Sequence, residues 1–106
     1  IEGVQNGEFR PPSFKTPYDY AGLQALVAQT REALSAWTPE AVNALGGRDV
    51  VFHLGEHKLP FTAEGFLMSF SLPNFYFHAT TAYDILRWKG MPLGKRDFTG
   101  RVRVKP

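Results

Sequence analysis

The chain has 106 residues, 43% hydrophobic and 21% charged, with a net charge of +2 at pH 7, the profile of one small globular domain rather than a disordered or fibrous chain. It contains no cysteine, which excludes disulfides, thiolate catalysis and cysteine-type zinc sites. No run of about 18 uncharged apolar residues is present to span a membrane, and the opening IEGVQNGEFRPP lacks the basic and apolar regions of a signal peptide, so a cytoplasmic location follows by default.

Residues 1–15 contain Gly3, Gly7, Pro11 and Pro12 and no helical or strand period, so a loop is expected there. Thr16 then offers a helix N-cap, with Pro17 at the first helical position and Asp19 at the third position of a capping box. Apolar residues recur at Tyr20, Leu23, Leu26 or Val27, Thr30 or Ala33, Leu34 and Trp37, while Gln24, Gln29, Arg31 and Glu32 fall mostly off that stripe. The spacing predicts an amphipathic helix over 16–37. Thr38-Pro39-Glu40 repeats the start signal, and a short helix over 39–45 is expected to stop at Gly46-Gly47. The run VVFHLGEHKLPFT places two apolar segments around Gly55-Glu56-His57, the pattern of a β-hairpin over 50–62.

Thr62 is a further N-cap, opening a long helix expected over 63–90. Pro73 inside it removes a backbone donor and crowds the preceding turn, which predicts a kink or break near Ser69 to Leu72. From there Phe75, His78, Ala82, Ile85 and Leu86 repeat at helical spacing, Gly90 suits the C-cap and Pro92 prevents resumption. The stretch from Phe66 to Trp88 is apolar nearly all round, the mark of a helix buried by several partners. One amphipathic partner helix is too few. Either a second copy or two further helices would supply the rest, and the absence of an initial Met fits a processed protein or a piece of a longer one.

From Arg87 onward the basic residues are Arg87, Lys89, Lys95, Arg96, Arg101, Arg103 and Lys105, opposed by Asp97 alone. Residues 91–106 read as an irregular basic tail, with Arg101-Val102-Arg103-Val104 alternating like a brief edge strand. Such a tail suits phosphate-rich partners or stands as a solvated terminus. The aromatic series Phe70, Phe75, Tyr76, Phe77 and Tyr83 lacks interleaved basic residues, which disfavours nucleic acid as the partner.

Asn74 and His78 are four residues apart and therefore share one face of the long helix. They are the candidate metal ligands, and His78 is equally a candidate general base. The plainer alternative is a core histidine satisfied by a neighbouring helix. His53 and His57 form a second spacing of this kind, but it spans the hairpin turn and reads as a surface pair. Asp84 reads either as an orienting carboxylate or as an exposed charge paired with Arg87.

The run LPNFYFHATTAYDILRWKGMPLGKRDFTG resembles the C-terminal signature of an uncharacterised bacterial family in the DinB/YfiT-like four-helix-bundle superfamily. The order of an amphipathic helix, a Gly-rich turn, a hairpin and a long last helix is similar too, so the resemblance covers about residues 1–100. It implies a mainly α fold, half or whole of a DinB-like bundle with a small β-hairpin between its last two long helices. Members are typically longer by two helices that precede this point, so the partner implied is either a missing N-terminal helical half or, in a homo-oligomer, a second copy. In the wider superfamily three histidines often hold a divalent metal such as zinc or nickel, two of them four apart on the last helix. Only His78 matches; Asn74 stands where the other histidine would be.

Two functions remain open on these residues. One is a helical domain of unknown function that acts by packing or ligand binding without an intact metal site. The other is a metal-dependent transferase, isomerase or hydrolase of the DinB-like type, with His78 on the metal.

Overall fold

A computed structural model describes residues 1–13 and 17–105. The chain is mostly helical with a three-stranded mixed sheet, and it divides into two compact units, Ile1–Leu67 and Met68–Pro106.

The first unit is built on the sheet. Helix α1 (Glu2–Asn6) and strand β1 (Glu8–Phe9) occupy the start of the chain, where a loop was expected. Their signal is too short for periodicity to reveal: α1 buries a single residue, Val4, and β1 is two residues long. Gly3 lets α1 approach the strand closely, since a Cβ there would lie 3.0 Å from the Phe9 ring. Strand β1 runs parallel to β2 (Asp49–Leu54), pairing Glu8 with Val51 and Phe9 with Phe52. Strand β2 turns through Gly55-Glu56 into antiparallel β3 (His57–Thr62). Gly55 has φ +59 at the first loop position, where a type II′ turn calls for glycine.

One face of this sheet carries the core. Phe52 and Phe66 meet edge to face, 5.9 Å apart between ring centroids, Phe9 lies 5.7 and 5.4 Å from them, and Phe61 lies 5.8 Å from Phe66. Val4, Leu45, Val50 and Ala63 complete the buried set. Helix α4 (Ala63–Phe66) brings Phe66 onto the sheet because Thr62 ends the strand and caps the helix, its hydroxyl accepting from the Gly65 amide at 3.1 Å. Helix α3 (Pro39–Asn43) is capped by Thr38 in the same way, and is two residues shorter than expected.

Helix α2 (Tyr20–Ser35) also falls within this first unit. It begins four residues later than expected. Asp19 accepts from the Gly22 amide at 2.7 Å and is itself the N-cap, not the third helical residue. Thr16, expected in that role, lies outside the described residues. The apolar stripe is present, yet no α2 side chain is buried.

A π-helical turn (Leu67–Ser71) leads from α4 into α5 (Leu72–Trp88), the long helix of the second unit. Pro73 has no amide to offer the carbonyl four residues back, at Ser69, and its ring would press on that carbonyl. In the π register a carbonyl looks five residues ahead instead of four. The interruption expected at Ser69 to Leu72 is a widened turn, starting two residues earlier.

Helix α6 (Lys95–Thr99) forms where an irregular tail was expected. Gly94 precedes it, and the Asp97 carboxylate accepts from the Gly94 amide at 2.8 Å. The alternating Arg101–Val104 segment forms no strand.

Candidate functional site

Asn74 and His78 sit one turn apart in the first half of α5, as the spacing requires, and both are exposed. The π turn sets where they begin and the helix carries Thr81 and Ile85 further along the same line. The His78 ring meets Phe77 edge-on at 5.2 Å. Among the described residues neither side chain has a hydrogen-bond partner, so His78 is not a core histidine satisfied within this chain. Both polar ends stand open to solvent.

Among the described residues no three of His, Asp and Glu come together as a metal-ligand set. An imidazole and an amide make two ligands at most, and the amide oxygen is a poor donor to zinc or nickel compared with a second imidazole. The residues present therefore do not fit the three-ligand centre that the resemblance implies.

The second histidine pair is separated by the sheet. His57 is opposite Leu54 and His53 opposite Lys58, and neighbours along a strand alternate faces, so His53 and His57 lie on opposite faces. His53 joins a cluster that the sequence did not reveal. Its Nε2 lies 3.1 Å from a Glu8 carboxylate oxygen and 3.4 Å from an Arg10 Nη2, with Arg10 also 3.5 Å from Glu8. Those partners are more than forty residues away in sequence, and the parallel pairing of β1 with β2 brings them together. Glu8 and Arg10 are more than half exposed, so the cluster is a tie between strands of under ~1 kcal/mol.

Asp84 pairs with Arg87 at 3.6 Å, one turn on, with both side chains exposed. This is the plain reading of Asp84. Arg87 also donates through Nε to the Leu93 carbonyl at 3.2 Å, and the Tyr83 hydroxyl donates to the Gly94 carbonyl at 2.6 Å. With the Tyr83 and Phe98 rings 5.0 Å apart, these bonds strap the Met91–Thr99 segment back along the end of α5.

Most of the aromatic and aliphatic surface of α5 stays open. Leu72, Phe75, Tyr76, Phe77, Ile85 and Leu86 are exposed large apolar residues, as are Tyr20, Leu23, Val27 and Leu34 on α2. The shallow hollow beside Leu23 and Val27 is lined by α2 alone, so it is the face of a helix and not an enclosed pocket. The α5 helix was expected to be buried; among the described residues none of its side chains is fully buried. No helix among the described residues is long and apolar enough to cross a membrane.

Comparison with curated proteins and with solved structures gives no match. Among protein families, residues 3–99 match the one described as a domain of unknown function, DUF1993. That match runs through the sheet, both long helices and the strapped end of α5, and the chain belongs to the DUF1993 family.

Proposed function

We propose that this chain supplies two helices, α2 and α5, of a DinB-like four-helix bundle, and that it acts through their apolar faces by packing and ligand binding. The observation that carries the reading is that helices of 16 and 17 residues hold no fully buried side chain. Burial of one large apolar side chain is worth about 1.5–3 kcal/mol, so covering the exposed residues of α5 alone would contribute on the order of 10 kcal/mol, comparable to the whole stability of a domain. A helix with that much to gain is shaped to be covered. The resemblance of the LPNFYFHATTAYDILR run supports two further helices of the bundle as that cover, ahead of a second copy.

Hydrogen exchange on the 106-residue chain, with light scattering on the same sample, tests this. The expected result is protected sheet amides beside fast-exchanging α2 and α5, and binding of a hydrophobic dye. A monomer with both helices protected and no dye binding overturns the reading. A dimer with both helices protected assigns the cover to a second copy instead.

A second reading is favoured by one observation, the unpartnered imidazole of His78 and amide of Asn74 one turn apart. In it the completed bundle is a metal-dependent transferase, isomerase or hydrolase with zinc or nickel on His78, the remaining ligand coming from the other helices. Equal metal content by elemental analysis in the wild type and in His78→Ala would dispose of it.

A further inference from the structure

Charge is divided sharply along the chain. Residues 1–67 hold five basic and eight acidic side chains, a net charge of −3, whereas residues 68–106 hold seven basic and two acidic, a net charge of +5. Both acids of the second unit are engaged, Asp84 with Arg87 and Asp97 with the Gly94 amide. Among the described residues, Lys95, Arg96, Arg101, Arg103 and Lys105 have no acidic partner and are exposed. A helix C-terminus favours a cation or two, which accounts for Arg87 and Lys89. It does not account for the others.

The strap gives this charge a place. By tying Leu93 and Gly94 to Arg87 and Tyr83, it returns Lys95 and Arg96 to the end of α5 that already carries Lys89. The same end exposes apolar groups: Trp88 is 80% and Met91 50% exposed, and Lys89 holds its ammonium 4.5 Å from the Trp88 ring centroid. Beyond α6, Val102 and Val104 alternate with Arg101, Arg103 and Lys105, all exposed.

We propose that the end of α5, with its strap and the segment 101–105, adsorbs to an anionic lipid surface, the basic side chains meeting headgroups while Trp88 and Met91 enter the interface. The mixture of groups selects this partner over nucleic acid. Clusters of Lys and Arg draw a segment to anionic lipid, and a tryptophan beside them suits the headgroup level. A phosphodiester backbone would use the charges but has no place for Met91, Val102 and Val104, and one face of Trp88 is already taken by Lys89. Adsorption of this kind needs no spanning helix, and it does not depend on the bundle reading.

Sedimentation of the full chain with phosphatidylcholine vesicles, with and without phosphatidylglycerol, provides the test, in a Trp37→Phe background so that emission reports Trp88 alone. Binding is expected only to the anionic vesicles, with a blue shift of Trp88 and loss at high salt as screening shortens to about 3 Å near 1 M. Lys95→Gln with Arg96→Gln should weaken binding about tenfold or more, and circular dichroism will show that both variants keep their helices. Equal binding to neutral vesicles assigns adsorption to the open faces of α2 and α5 and overturns the proposal. So does binding to an oligonucleotide without binding to vesicles, and so does binding to neither.

Discussion

Two sets of aromatic residues in this chain have opposite fates. Phe52 and Phe66 are each 3% exposed, while Phe75 is 61% and Phe77 66% exposed. The first pair gains its burial because three strands and a capped helix bring residues from four segments onto one sheet face. The second sits on a single helix, and a helix cannot cover its own stripe. A phenylalanine is a core residue only when some other element closes over it. The sheet side of this protein has that closure, whereas among the described residues Phe75 and Phe77 on α5 stay largely exposed.

The largest effect that would break this comparison is on stability. Phe52→Ala should cost about 3–5 kcal/mol, read as lost exchange protection of the β2 and β3 amides. Phe75→Ala in the same chain should change stability by under ~0.5 kcal/mol, as exposed positions do. A cost for Phe75→Ala as large as that for Phe52→Ala would show that α5 is already packed, and the contrast would collapse.

What the sequence showed, and what it hid, follows the same line. Helix α2 and the hairpin were legible because each has its own period and its own turn or cap within about twenty residues. Strand β1 was not, because two residues carry no period and its register is set by β2, more than forty positions on. Helix α6 was missed for a related reason: its start depends on Asp97 reaching back to Gly94, in a stretch that composition marked only as basic. The Asn74 and His78 spacing was plain, since helical geometry alone fixes it. The Glu8, Arg10 and His53 cluster was invisible, since strand pairing alone creates it.

The caps offer a smaller test of the same contrast. Thr62 holds the Gly65 amide at the start of α4, whereas Ser71, which precedes α5, makes no capping bond because the chain is already helical there. Thr62→Ala should cost about 1 kcal/mol, and Ser71→Ala under ~0.5 kcal/mol, both by denaturant unfolding. On the other side, Tyr83→Phe removes the hydroxyl bound to the Gly94 carbonyl and should cost about 1 kcal/mol. Its readout is faster proteolysis of the strap, with the sheet amides unchanged.

The smallest effect is a dependence on acid confined to the sheet side. Hydrogen bonds from its own backbone amide first, and from the Gly47 amide second, hold the Glu64 carboxyl below its ordinary value of 4.5; the Gly47 bond is 2.9 Å long. A carboxyl whose folded value is depressed stabilises the fold fully above its unfolded value, and that contribution is lost as pH falls through the folded value. The difference in stability between the wild type and Glu64→Gln should therefore shrink as pH is lowered from about 6 to 3. Glu40 is also held low, by its own backbone amide and then by Thr38, but it is present in both proteins and cancels from the difference. A difference that stays constant with pH would mean that the Gly47 bond does not depend on the charge of Glu64. Exchange of the α5 amides should show no change between the two proteins at any pH, because the bond that Glu64 makes ties the Gly46-Gly47 turn to α4, within the first unit.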